Sequence, residues 1–192
     1  MIIVKKEKIT KLTLSALFVA LGIILPFFTG QIKEIGNMLL PMHIPVILCG
    51  LICGPWYGLG IGFVVPLMRS IMFGMPMIYP SAIAMAFELA TYGFVVGFFY
   101  SKSPWKCIKA LYKAMLTSMV AGRLVWGIAM TALMGIKGSA FGLGAFFTGA
   151  VINAVPGIIL QLILVPSIMV ALKRAKLVPL INHREKKQCT TK

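Results

Sequence analysis

The sequence predicts an all-α, polytopic membrane protein: a six-transmembrane-helix bundle with its N- and C-termini in the cytoplasm. Composition points there first, with 59% hydrophobic and 12% charged residues among 192, against about a quarter charged in a soluble domain. The distribution of basic residues points there again. They form four clusters: Lys5, Lys6, Lys8 and Lys11; Lys102, Lys106, Lys109 and Lys113; Lys173, Arg174 and Lys176; and Arg184, Lys186 and Lys187. All four fall on one side if the apolar stretches between them cross the bilayer six times, and basic flanks are retained in the cytoplasm. Fifteen of the 19 Lys and Arg then lie inside, Lys33 and Lys137 outside, and Arg69 and Arg123 within spans.

A helix crossing the hydrocarbon core needs about 20 residues, fewer where neighbours tilt or the bilayer thins. The first span is 10–28, and the polar stretch 29–37, with Gln31, Lys33 and Glu34, lies outside. The second, 38–55, is interrupted by Pro41 and Pro45 and ends in Gly54-Pro55-Trp56-Tyr57-Gly58, a tight turn with an interfacial aromatic pair. The short third span, 59–73, runs into an outer loop, 74–80, made rigid by Pro76 and Pro80. The fourth span is 81–100, followed by a basic inner segment, 101–113. The fifth is 114–135, followed by an outer loop, 135–144, whose only charge is Lys137; the sixth, 145–172, carries Pro156 and Pro166. Residues 1–192 thus make a single integral membrane domain: 1–9 is a cytoplasmic N-terminus, 10–172 holds the spans, and 173–192 is a basic cytoplasmic tail.

Several classes are excluded. A net charge of +15 would suit nucleic acid in a soluble protein, but here the basic residues flank apolar spans, where anionic lipid headgroups are the partner. The first apolar run follows positive residues as a signal peptide's would, yet it is long and lacks a small-x-small cleavage pattern, so it reads as a retained span. Cys49, Cys53, Cys107 and Cys189 form no CxxC pair and read as free thiols. HExxH, GxSxG, P-loop and paired-carboxylate patterns are absent, so no enzyme is expected and no cofactor; His43 and scattered cysteines make no metal site.

Three ionisable residues lie inside the predicted membrane: Arg69, Glu88 and Arg123. Each costs about 2.5–3.5 kcal/mol at mid-helix on insertion scales, so each needs a partner or a cavity. Glu88 pairing with one arginine to fix helix packing is one reading. The other is that surplus positive charge faces a cavity and binds an anionic group, for which arginine's fork suits a carboxylate. Arg69, near the outer end of its span, has a third option, snorkelling to headgroups. His43, between Pro41 and Pro45, either contacts ligand or bonds carbonyls freed near those prolines. Asn153 and Gln161, eight residues apart, share a face and either bind ligand or join helices. Trp126, one turn beyond Arg123, either stacks on a ligand or packs in the core. Ala16 and Ala20 form a small-xxx-small face that admits another helix closely, from a partner or from within. Gly50, Gly54, Gly58 and Gly62 read as a turn plus close packing of spans two and three.

Two segments carry a resemblance: Ala16-Leu-Phe-Val-Ala20, and Cys49-Gly-Leu-Ile-Cys-Gly-Pro-Trp-Tyr-Gly-Leu-Gly-Ile-Gly62 across the turn between spans two and three. With six-span topology they resemble the substrate-binding S component of energy-coupling-factor (ECF) vitamin transporters. Gly122-Arg123-Leu-Val-Trp126-Gly127 and Asn153-Ala-Val-Pro-Gly-Ile-Ile-Leu-Gln161 are similar to the branch holding pantothenate, folate and hydroxymethylpyrimidine carriers.

The resemblance implies a protein of the bacterial cytoplasmic membrane that binds a small vitamin near the outer surface. It would then join a transmembrane coupling protein and two ATPase subunits, and topple to release its cargo inside. Ala16 and Ala20 would map to the face docking on the coupling protein, and the ligand would lie among the later spans under the outer loops 29–40 and 74–80. Many relatives carry an acidic residue near the end of span three, where this chain has Pro66-Leu-Met-Arg69-Ser70; that departure favours an anionic ligand. Pantothenate is the first candidate, its carboxylate on Arg123 or Arg69 and its hydroxyl and amide groups on Asn153, Gln161 or Glu88. A pyrimidine, folate or deazapurine would use the same amides and Glu88, with Trp126 stacking. A non-transporting membrane scaffold or sensor is the reading from a different class.

Overall fold

The computed structural model describes residues 2–28, 41–103, 108–136 and 155–174. Among them every regular element is helical: α1 (Ile2–Phe28), α2 (His43–Cys53), α3 (Pro55–Phe73), α4 (Ile83–Lys102), α5 (Ile108–Ile136) and α6 (Val155–Arg174). A kinked turn at Ile78–Ala82, with Tyr79 extended (φ −117°, ψ 130°), leads into α4. Five of these helices, all but α2, are long and apolar enough to cross a membrane. The chain is therefore an all-helical membrane protein. Lys33, Lys106, Lys137, Asn153 and the tail beyond Arg174 lie outside the described residues.

Helix ends depart from the expected span limits for identifiable reasons. α1 begins at Ile2 and α5 at Ile108, so Lys8 and Lys11, and Lys109 and Lys113, ride on the first turns of the spanning helices. Lysine is a good helix former, and its apolar stem lies along the helix while its head reaches the interface. α2 departs most. It has 11 residues, about 16 Å of helix at 1.5 Å per residue, where a full crossing takes about 30 Å. Pro45 sits in its first turn, where a missing N–H costs nothing, so the proline marks a helix start within the apolar run.

A single residue joins α2 to α3. Gly54 adopts φ +108°, a conformation that a side chain disfavours, and Pro55 occupies the first position of α3, where its ring is pre-set for a helix. The Gly58 N–H closes the turn on the Gly54 carbonyl at 3.0 Å. Trp56 meets Phe94 of α4 edge-on at 5.5 Å.

Small residues bind α2, α3 and α4 into one unit. A Cβ added to Gly58 would lie 2.6 Å from the Gly93 carbonyl oxygen and 2.8 Å from the Gly50 Cα. One added to Gly97 would lie 2.6 Å from the Gly50 oxygen and 2.8 Å from the Pro55 Cα. Only bare backbones fit, which is how membrane helices gain contact when burial from water cannot drive them together. The seam expected between spans two and three therefore has a third wall, supplied by Gly93 and Gly97. α4 packs on α2, α3 and α5, and every residue of α2 is buried.

The remaining helices are tied across their prolines and ends. Pro166 interrupts α6 and leaves the Leu162 carbonyl without its helical donor; the Tyr112 hydroxyl of α5 donates to it at 3.2 Å. Beyond α3, Gly74 caps the helix at φ +67° with its N–H on the Ser70 oxygen. Ser70 Oγ donates to the Pro76 carbonyl at 2.5 Å, and the Tyr79 hydroxyl donates to the Leu133 carbonyl of α5. The segment 74–80 is thereby strapped from α3 across to α5. Segment 74–80 joins the end of α3 to the start of α4, Tyr79 reaches Leu133 near the end of α5 and Arg69 reaches Ile23 near the end of α1, so Lys8, Lys11, Lys102, Lys109 and Lys113 lie at the helix ends away from that segment.

Candidate functional site

Three helices bring a set of polar side chains into the interior. His43 is the first residue of α2, Glu88 and Tyr92 stand one turn apart on α4, and Arg123 lies on α5. His43, Glu88 and Tyr92 are all at most 2% exposed and Arg123 is 13% exposed. Glu88 Oε1 is ion-paired with Arg123 Nη1 at 3.1 Å and has His43 Nε2 at 3.6 Å. The Tyr92 ring meets the His43 ring edge-on, with centroids 5.0 Å apart. Gly122 gives that ring its space: a Cβ there would fall 2.6 Å from Tyr92 Cδ2.

Charge is balanced in the cluster, but hydrogen bonding is not. Arg123 neutralises Glu88, and neither ion is stranded in low dielectric, where an unpaired charge costs several kcal/mol. Yet Arg123 Nε and Nη2 are buried without a hydrogen-bond partner, and so are Glu88 Oε1 and both His43 nitrogens. Buried donors without acceptors are rare and costly. With Nη1 in the ion pair with Glu88, the open donors Nε and Nη2 form the lateral edge of the guanidinium, an edge that can donate two parallel hydrogen bonds to a planar group with two acceptors.

Gln161 is a further buried polar side chain, on α6, which packs on α2 and α5. It is 1% exposed, and both its amide oxygen and its amide nitrogen lack partners. It lies on the buried stripe Gly157, Gln161, Val165 of that helix. Trp126 is half-buried on α5, one turn from Arg123.

Arg69 makes its contacts elsewhere. Its Nη1 donates to the Ile23 carbonyl of α1 at 3.1 Å, and its guanidinium lies over Phe27 and Phe73 at 5.6 and 6.0 Å. Backbone dipole and ring faces offset its charge, and in this position it clamps the end of α1 to α3. Asn153 lies outside the described residues. Tyr92 is the member that sequence reasoning missed, although its spacing of four from Glu88 places it on the same helix face.

Two further features lie away from the cluster. Ala16 and Ala20 are exposed on α1, while Ser15, Phe18 and Gly22 turn inward. Cys49 and Cys53 are buried free thiols, with Ser15 Oγ 3.7 Å from Cys49 Sγ; they fill the α1–α2 contact. Among the described residues no group of three or more His, Cys, Asp or Glu is placed to hold a metal ion.

Fold and cluster together define a helical membrane protein that encloses ionised and amide side chains among its helices. A family model described as ECF transporter, substrate-specific component, matches residues 10–169. The chain belongs to that family. It is a transporter's substrate-binding subunit, one that works with an ECF module of coupling protein and ATPases. No curated relative and no solved structure matches it.

Proposed function

We propose that this S component imports a small, water-soluble vitamin or precursor bearing a carboxylate, with pantothenate as first candidate. The observation that carries the reading is the lateral edge of Arg123, two buried donors with no acceptor, held in place by Glu88 at the guanidinium's other corner. A carboxylate satisfies both donors at once. His43, Glu88 and Tyr92 line the ligand's other side, and Trp126 packs against it. Arg69, already engaged with Ile23 and two phenyl rings, holds the helices that frame the site.

Residues 1–192 act as one membrane domain in the bacterial cytoplasmic membrane, with the basic end of the bundle in the cytoplasm. The ligand enters from the opposite end, where segment 74–80 is strapped to α5. Ala16 and Ala20, exposed and small, admit a helix of the coupling protein, and the two ATPases supply the energy for release.

Native mass spectrometry of the protein purified with its carried-over ligand tests the reading. A bound mass matching pantothenate is the expected result. A bound compound without a carboxylate overturns it.

A further inference from the structure

Gln161, the one amide side chain among the described residues, is 1% exposed and unsatisfied at both ends. An isolated glutamine joining two helices would spend its oxygen or its nitrogen on a neighbouring backbone. Here neither atom is spent, although α6 satisfies its own broken carbonyl at Leu162 through Tyr112. The amide presents an acceptor and a donor side by side, in one plane and on a fixed baseline. Its complement is a group with a donor and an acceptor on one edge: a hydroxyl or N–H next to a carbonyl. A lone carboxylate would satisfy only the nitrogen, and an aliphatic group neither.

Resting on the carboxylate reading of Arg123, we infer that the ligand is recognised at two points. Its carboxylate lies on Arg123, and a hydroxyl or N–H beside a carbonyl lies on Gln161, which makes Gln161 the residue that selects among small organic acids. In pantothenate the matching edge is the α-hydroxyl with the adjacent amide carbonyl: Gln161 Oε1 accepts from the hydroxyl, and Gln161 Nε2 donates to the carbonyl. The two contacts come from helices α5 and α6, so an acid lacking the second edge binds at one end only and leaves a buried amide unpaired.

The test is titration calorimetry on the full chain in lipid nanodiscs, with pantothenate and its α-deoxy analogue as probes. Wild type should prefer pantothenate by about tenfold to a hundredfold, the cost of leaving one buried polar group unpaired. Gln161→Met, of similar volume, should bind the two compounds with equal affinity. Gln161→Asn, whose amide is withdrawn by one carbon, should shrink the preference and serves if the methionine variant does not fold. Equal binding of both compounds by wild type, or an unchanged preference in either variant, overturns the assignment to Gln161 while leaving the carboxylate reading standing. Failure of wild type to bind pantothenate at all overturns the carboxylate reading for this vitamin, and the inference with it.

Discussion

Replacing Gly93 with alanine tests whether the α2–α3–α4 seam holds the bundle together. A Cβ on Gly93 would sit 2.9 Å from the Gly58 Cα and closer still to the Gly58 carbonyl, all of it backbone that cannot rotate away. Ordinary contact requires about 3.4–4 Å, so α3 and α4 must separate by on the order of 1 Å, losing dispersion contacts along the seam. Overpacking of this kind costs about 1–3 kcal/mol. Alanine is also a better helix former than glycine by about 1 kcal/mol, so the reference is Gly60→Ala on α3, where a Cβ meets nothing within 4 Å. The propensity gain cancels between the two variants and the steric cost remains. At about 2–4 °C per kcal/mol for a chain of this size, Gly93→Ala should melt about 2–12 °C below Gly60→Ala. A thiol-reactive dye reads the transition, because Cys49 and Cys53 are buried in the folded bundle; Cys107 and Cys189 are first changed to serine. Equal melting of the two variants would refute the claim that bare backbone contact at Gly58 and Gly93 carries the packing.

The other predictions concern the site, the docking face and the topology. Arg123→Ala should weaken pantothenate binding by about 2–5 kcal/mol, since a buried charge pair is broken and Glu88 is stranded; calorimetry showing wild-type affinity would make Arg123 purely structural. Ala16→Leu with Ala20→Leu should prevent copurification with the coupling protein and ATPases while ligand still binds the solitary chain. Loss of both together would identify that face as internal. In a background without natural cysteines, a cysteine at position 137 should be labelled from outside intact cells and one at 106 should not, and the opposite pattern would invert the proposed orientation.

Much of the fold was legible because membrane helices declare themselves by hydropathy and basic flanks, and because Gly54-Pro55 can only be a reversal. The length of α2 was not. Residues 38–55 form one apolar run, and only Pro41 and Pro45 hinted that a short helix begins within it. The seam was half legible: the repeat Gly50, Gly58, Gly62 marked one side, but Gly93 and Gly97 became its partners only through a helix crossing that no local pattern encodes. At the site, sequence narrowed the choices without making them. An acid and two bases in apolar spans require partners, yet which arginine meets Glu88 depends on α4 and α5 packing together. The counterpart of Arg69, the Ile23 carbonyl, lies in another helix and is a backbone atom, which leaves no trace in residue type.

The division between the two arginines is what the proposed carboxylate site rests on. Arg69 has its charge met by a carbonyl and two ring faces, an arrangement with no carboxylate to displace and no reason to exchange partners. Arg123 is different: one corner is fixed by Glu88 and its lateral edge is left open in the interior. A second acceptor on that edge would lower the cost of burying the arginine, and no described residue supplies one. On the proposed reading Glu88 orients the guanidinium without saturating it, and the ligand supplies the acceptors that Arg123 Nε and Nη2 lack.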